Sequence, residues 1–461
     1  MPINTKYKGY DVEKQKSDKV RDFSAGESQV KSKGERYLPR LTGQTTEQYA
    51  AYLNRGALVP AVKPTASAVI GAIMRKPPVI ESNLTDIEID IDGNDQNIEL
   101  FVSESIKELL LSGGVGQLVD WDDDKKKAIV KTYAKESLIN YSHDYIVLSQ
   151  TYTVRNPQDK YDEVVKVEYL ELMIDDDGQY IQNVWRENKG GWGIVETVTP
   201  TKRGDSMSEF PFVFTTIEGL GIKLSDPLLL SLANVNHNQY TLSTDQRHGL
   251  HWSALPTLFV FGELTDSEGE RKKIKVGAGS FNHIEDEKAR AELLEFSGAG
   301  LGSVKEVIDS DISVMASVGA KMLTSDSSGV KAAETARIDA SSETATLSTI
   351  ANAIDLMMSK IFEMMDEWSG TANSKFTINR DFIDVKLDPQ ALAAYLQTYL
   401  SGGMSLNTFL SLLHKGELLP KGITPEDEAN RIDQGGNDFE DNEVQEGDFE
   451  DNEAQEDDFN G

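Results

Sequence analysis

Residues 226–262, DPLLLSLANVNHNQYTLSTDQRHGLHWSALPTLFVFG, constrain this chain more than any other stretch. Asp226 can cap a helix, and Pro227 at its first position has the right φ and no N–H to leave unpaired. Leu228, Leu232, Val235 and Leu242 recur at helical spacing. Among them stand Asn234, Asn236, His237, Asn238, Gln239 and Tyr240. A helix reaching about His248 would be about 35 Å long. So long a helix with so narrow an apolar stripe points to a rod that spans between bodies or packs against copies of itself. Gly249 and Pro256 predict its end, and residues 257–261 read as a short β-branched and aromatic strand.

A second helix of similar size is expected from Ser303, where Ser303 and Glu306 have capping-box spacing. Val304, Ile308, Ile312, Met315, Val318 and Met322 mark one face of it. Two readings fit. The helices are paired struts carrying a small lobe at one end, or they are ordinary core helices of an α+β domain.

With 461 residues, about three domains are expected. The chain has no cysteine, which removes disulfides, thiolate metal sites and thiol nucleophiles and suits a reducing compartment. Residues 1–20 lack the apolar core of a secretory signal, and no run of apolar residues is long enough to span a membrane. The net charge is −31. A broad nucleic-acid grip needs clustered lysine and arginine, so that charge argues against one, though not against letting DNA pass without sticking. Residues 433–461 hold 13 acidic and no basic residues, leaving −18 for the rest.

Residues 1–34, rich in lysine, aspartate, serine and glycine, are expected to be a loosely held arm. Thr45 and Gln48 form a capping box ahead of Tyr49, Tyr52 and Leu53, and residues 61–74 read as a helix of small residues. A helix is expected at 98–111, then strands at 115–121 and 128–133. A meander at 164–173, 180–186 and 192–198 is turned by DDDGQ and NKGG, and a buried strand follows at 210–216. Residues 325–330 read as a serine- and glycine-rich loop before a long helix over 331–368. Its first half is nearly all alanine, serine and threonine. Its second half places Leu347, Ile350, Ile354, Met357, Ile361, Met364 and Trp368 in alternating steps of three and four, either a coiled-coil seam or a core-facing stripe. A strand at 376–382 and two short helices at 388–400 and 405–413 close the folded part. The tail repeats DFEDNE twice and cannot build a core, so it is expected to be disordered. Phe439, Phe449 and Phe459 are its candidate anchors for a basic partner.

No catalytic constellation is legible. Gly113, Gly114 and Gly116 precede a strand, where a phosphate loop follows one, and residues 297–302, SGAGLG, lack the lysine and hydroxyl of a P-loop. The aspartates at 122–124 and 175–177 read as solvated turns: a calcium loop from Asp120 would need glycine at Lys125 and glutamate at Lys131. His248 and His251 could share a metal only if the helix persists past Gly249; hydrogen bonding is the simpler use. The one basic cluster, Arg271, Lys272, Lys273 and Lys275, is either a solvated hairpin edge or a docking surface.

Several motifs resemble, in the right order, an uncharacterised family of tailed-phage proteins related to head–tail connector (portal) proteins. They are Tyr37-Leu38-Pro39-Arg40-Leu41, residues 49–55, Gly71, Arg75-Lys76-Pro77-Pro78, residues 115–120 and residues 133–141 with Tyr141 where the family has Trp. Pro211-Phe212, Pro227-Leu228-Leu229, Pro256, Glu334-Thr335-Ala336 and Gly403-Met404-Ser405 follow. The resemblance covers about residues 35–420 and leaves out the acidic tail.

The resemblance implies an α+β portal fold. Residues 1–34 would be a flexible arm, 35–225 the wing, and 226–325 the stem helices with a clip at about 252–302. Residues 326–385 would be the tunnel loop, long helix and returning wing strand, 386–432 a helical crown, and 433–461 the disordered tail. It also implies a non-enzymatic protein without cofactor or metal, assembled as a ring of twelve at one capsid vertex of the virion, after assembly in the host cytoplasm. Double-stranded DNA would pass through without sequence-specific binding. The implied partners are other copies of the chain, the major capsid protein and scaffold, the terminase large subunit and a head–tail adaptor, with no membrane. Arg271, Lys272, Lys273 and Lys275 would belong to the clip's partner surface, and Ser325, Ser327, Ser328 and Lys331 would face the tunnel. A scaffold or adaptor without a tunnel is the alternative.

Overall fold

The computed structural model describes residues 2–156, 159, 161–254, 257–261, 290–294, 300–321, 333–382, 389–415, 418–419 and 423–435. They divide into two compact units, Met1–Phe382 and Ile383–Gly461.

The first unit opens with helices α1 (Tyr10–Ala25) and α2 (Glu27–Ser32). The first 34 residues are therefore not a loose arm. Val20, Phe23 and Val30 are fully buried in the main core. Ile3 and Tyr7 ahead of α1, with Tyr10 at its first position, pack on Ile139, Val147, Tyr169, Trp185 and Trp192 in a second apolar cluster. Then come α3 (Thr46–Arg55), α4 (Val62–Ile73), strand β1 (Val79–Glu81) and α5 (Ile98–Ser112). Both halves of the Thr45–Gln48 capping box are made, a device that stabilises a helix start by about 1 kcal/mol.

Strands β2 (Val115–Asp122) and β3 (Lys127–Ala134) pair as a hairpin. Next come β4 (Leu138–Tyr141), β5 (Tyr145–Arg155), β6 (Glu163–Ile174), β7 (Tyr180–Asn188) and β8 (Gly191–Val198). These five form one antiparallel meander in sequence order. The two-residue strands β9 (Thr201–Lys202) and β10 (Asp205–Ser206) make a small hairpin. Strands β11 (Phe212–Thr216) and β12 (Gly219–Leu220) join β2 and β3 in a second sheet, ordered β12-β11-β2-β3.

The remaining elements are α6 (Leu230–Ala254), β13 (Thr257–Phe261), β14 (Arg290–Leu294), α7 (Leu301–Lys321), α8 (Ala333–Ser369) and β15 (Lys375–Thr377). Strand β15 is shorter than the expected 376–382 and pairs antiparallel with β1. The second half of α8 is a core element. Leu347, Ile350, Ile354, Met357, Ile361, Met364 and Trp368 are all buried, with Ala351, Met358, Phe362 and Met365 beside them. The helix packs on α4, α5, β2, β3, β11, β12 and β15, so its three–four seam faces the core of its own chain.

The second unit holds α9 (Pro389–Leu400), α10 (Leu406–Lys415) and α11 (Pro425–Gly435). Gly402 takes φ +77° after α9, and the Gly403 N–H reaches back to the Thr398 carbonyl, which closes the helix end. Tyr399 and Phe409 stack 5.1 Å apart, joining α9 to α10.

Candidate assembly site

Helices α6 and α7 are packed along each other and run antiparallel. At one end Gly249 of α6 lies against Leu301 of α7. At the other, Gly319 of α7 lies against Thr65, beside the segment around Val59 that hydrogen-bonds to Asn236 and Gln239 of α6. Strands β13 and β14 pair antiparallel at the Gly249 end, between the two helices in sequence.

Helix α6 is longer than the spacing predicts, because Gly249 does not end it. A Cβ there would lie 2.8 Å from Leu301 Cδ2, so this glycine makes room for the start of α7. Helix α7 in turn begins at Leu301, two residues before the expected Ser303.

The buried seam of α6 is unlike the stripe expected from its leucines. It comprises Leu232, Ala233, Asn236, Gln239, Tyr240, Ser243 and Thr244, whereas Val235 and Leu242 are half-buried. The polar members of that seam hold the chain's own N-terminal region. Asn236 Nδ2 donates to the Val59 carbonyl (3.0 Å), and Gln239 Oε1 accepts from the Val59 N–H (3.1 Å). His237 Nε2 lies 2.8 Å from the Tyr37 carbonyl oxygen, so that nitrogen carries the proton. Burial pulls the His237 pKa below its ordinary value. Tyr52 donates to Asp245 at 2.5 Å, and Lys19 to Asn234 at 2.8 Å. Asn236 Oδ1 and the Tyr240 hydroxyl are buried without a hydrogen-bond partner, and burial pushes that hydroxyl up to about 12. The polarity of α6 thus serves contacts inside one copy along this half of the rod.

The entry to α6 is clamped as well. Lys135, almost wholly buried, donates to Glu13 (2.9 Å) and to the Ser225 carbonyl (2.7 Å). Lys16 donates to Glu13 and to Asp226, so the carboxylate expected to cap the helix is an ion-pair partner of α1. Burial pushes Glu13 up, but hydrogen bonds from Lys16 and Lys135 outweigh it and hold its carboxyl below the usual range. Arg21 of α1 bridges Glu108 and Glu136. Gly113, at φ +82°, lets the end of α5 pass under this junction.

Past Thr244 the picture changes. No side chain described between Asp245 and His251 is buried. Among the described side chains of α7, Ile308, Met315 and Gly319 are buried, while Val307, Ile312 and Val314 are exposed. The base of the rod pair is locked into the core and the rest of it stands against solvent.

The metal and phosphate readings find no support among the described residues. There, no group of three histidine, aspartate or glutamate side chains is placed to hold a metal. Asp122 Oδ1 accepts from the N–H groups of Asp124 and Lys125, and Asp175 Oδ1 from those of Asp177 and Gln179, as self-closed turns do. A third acidic loop, not singled out from the sequence, has Asp90 filled by the ammonium groups of Lys125 (2.8 Å) and Lys127 (2.7 Å). Gly114 and Gly116 lie under Phe214 and Phe212, where a Cβ would come within 3 Å of the rings. The helix does persist past Gly249, yet Arg55 Nη1 lies 3.4 Å from His248 Nδ1. No described helix is long and apolar enough to cross a membrane. Arg271, Lys272, Lys273, Lys275, Ser325, Ser327, Ser328, Lys331, Phe439, Phe449 and Phe459 lie outside the described residues.

The model of one protein family, described as a domain of unknown function (DUF4055), matches residues 227–369. That span opens just ahead of α6 and closes on the last residue of α8, so it takes in both rods, all that lies between them and the long helix. It is under a third of the chain. No curated protein matches. Solved structures that match include the neck of an empty GTA particle, at 11% identity and TM-score 0.41, over 81% of this chain and 95% of that one. The virion of a native gene transfer agent particle matches at 11% identity and TM-score 0.42, over 84% and 98%. An HK97 family phage portal protein from Corynebacterium diphtheriae matches at 13% identity and TM-score 0.30, over 73% and 96%. The chain is similar to phage portal and particle-neck structures.

Proposed function

We propose that this chain is the portal subunit of a tailed bacteriophage. Copies close into a ring of twelve at one vertex of the capsid, and double-stranded DNA enters and leaves through the hole. One relationship carries the reading. Two antiparallel rods, with the antiparallel strand pair β13–β14 between them in sequence, are anchored at one end in the core, and their described side chains toward the other end are mostly exposed or half-buried. That is the layout the resemblance implies for a stem and clip.

The function is passive and geometric. With a net charge of −31 per copy, the ring repels phosphates and makes few contacts to hold them, so DNA slides. In this reading the segment between β13 and β14, with Arg271, Lys272, Lys273 and Lys275, docks the terminase and later the head–tail adaptor. Ser325, Ser327, Ser328 and Lys331 face the tunnel. The capsid protein and scaffold contact the ring's outside, and residues 433–461 lie outside the fold, with Phe439, Phe449 and Phe459 as anchors for a basic partner.

Native mass spectrometry of the purified full chain tests the reading. A single closed multimer of uniform copy number is expected. A monomer, or an open series of sizes, contradicts it.

A further inference from the structure

Where burial along α6 stops, the helix passes the end of α3 and the start of α2, and the corner they make is rich in cations. Arg55 closes α3, and its Nη1 lies 3.4 Å from Nδ1 of His248 on α6. Tyr52, within one turn of Arg55, holds Asp245 through its hydroxyl, and its ring meets the His248 ring edge-on at 5.0 Å. Arg247 is near enough to the start of α2 for its charge to act on Glu27, and His251 acts on His248 in the same way. The carboxylates of this corner are already engaged. Glu27 accepts from Lys31 (2.7 Å) and from the Leu58 N–H (3.0 Å), and Asp245 accepts from Tyr52. Among the described residues neither Arg55 nor Arg247 has a carboxylate within ion-pair distance, whereas Arg21, Arg75 and Arg186 elsewhere each hold one. Burial, Arg55 and His251 push the His248 pKa below its ordinary value, against the pull of Asp245, so the cationic groups disfavour one another's charge.

In a chain of net charge −31, two guanidinium groups and two imidazoles are thus gathered from two helices with no carboxylate to settle them. An oxyanion relieves that repulsion, and charge-assisted bonds from arginine forks are the strong way to hold one. We propose that Arg55, Arg247, His248 and His251 form a site for a phosphate group, either the phosphodiester of duplex DNA or the free anion. The DNA source rests on the ring reading above, in which the duplex runs past the rods. The phosphate chemistry stands without it. One such site per copy adds where the few contacts to passing DNA are made, and is too sparse to stop the duplex from sliding.

Two probes read the site in the purified full chain. Inorganic phosphate should raise the melting temperature above that in chloride at the same ionic strength, because it binds the folded state alone. A fluorescein-labelled duplex of about 30 base pairs should bind, by anisotropy, more weakly as salt rises. Arg55→Gln combined with Arg247→Gln should abolish the phosphate gain and weaken duplex binding about ten-fold, with a shallower salt slope. Arg247→Gln alone, at an exposed position, should lower both responses and leave the melting temperature in chloride unchanged. Loss of the phosphate gain with duplex binding intact assigns the site to the free anion, and the converse assigns it to DNA. Equal responses of wild type and double variant to both probes overturn the proposal. A double variant that no longer forms rings shows that the corner holds a carboxylate of a neighbouring copy, and overturns it too. A wild type that stays monomeric defeats the ring reading, and the phosphate response of that monomer still decides the site.

Discussion

Gly249 of α6 and Leu301 of α7 meet so closely that a Cβ on the glycine would lie 2.8 Å from Leu301 Cδ2. The obstructing atom is the far end of a flexible side chain. Gly249→Ala should therefore come out near neutral, because the gain in helix propensity of about 1 kcal/mol offsets a small shift of the leucine. Gly249→Leu cannot be absorbed that way and should cost about 1–3 kcal/mol. Thermal melts of the two variants check the contrast.

Gly113 is the opposite case. Its φ is +82°, and a Cβ would lie 2.4 Å from the Ser225 backbone oxygen. Backbone cannot swing aside as a leucine tip can. Gly113→Ala should cost at least about 3 kcal/mol, combining left-handed strain with overpacking, and should lower the yield of folded protein. Wild-type stability in a denaturant titration of Gly113→Ala would refute the account of the α6 entry.

Gln239 tests whether the polar seam of α6 serves the fold. Gln239→Ala removes a buried side chain and leaves the half-buried Val59 N–H without its acceptor, and should cost about 1–3 kcal/mol. A seam that instead serves contacts between copies would leave the stability of the isolated subunit unchanged in the same titration.

Acid should loosen the hold on α6. Burial lowers the His237 pKa, and burial with Arg55 lowers that of His248. The unfolded chain therefore binds these protons more readily than the folded one. The stabilising contribution is fully present above the ordinary histidine value of about 6.5 and is lost as pH falls through the lowered folded values. Melting temperature measured from pH 7.5 down to pH 5 should fall, and His237→Gln should flatten that slope.

Much of this fold was legible in local signals. The Thr45–Gln48 box, the glycine-turned meander and the apolar steps along α8 each state a structure within a few residues. What the sequence concealed depends on distant partners. Val20, Phe23 and Val30 are too sparse among lysines and serines to announce α1 and α2, which acquire their meaning from the core they cover. Gly249 reads as a helix end because a glycine's neighbour across space is invisible in one dimension. Asn236 and Gln239 read as part of the polar remainder of a rod, because polar side chains become core residues only when a loop such as 56–60 supplies their hydrogen bonds. Within the candidate site, the rods were visible and the clamp that holds them was not.

Cryo-electron microscopy of the purified full chain tests the central claim most directly. A closed ring is predicted, with a continuous central hole and with α6 and α7 of each copy side by side around its wall. Particles without a hole, or a ring whose α6–α7 pairs lie on the outside away from the opening, would contradict it.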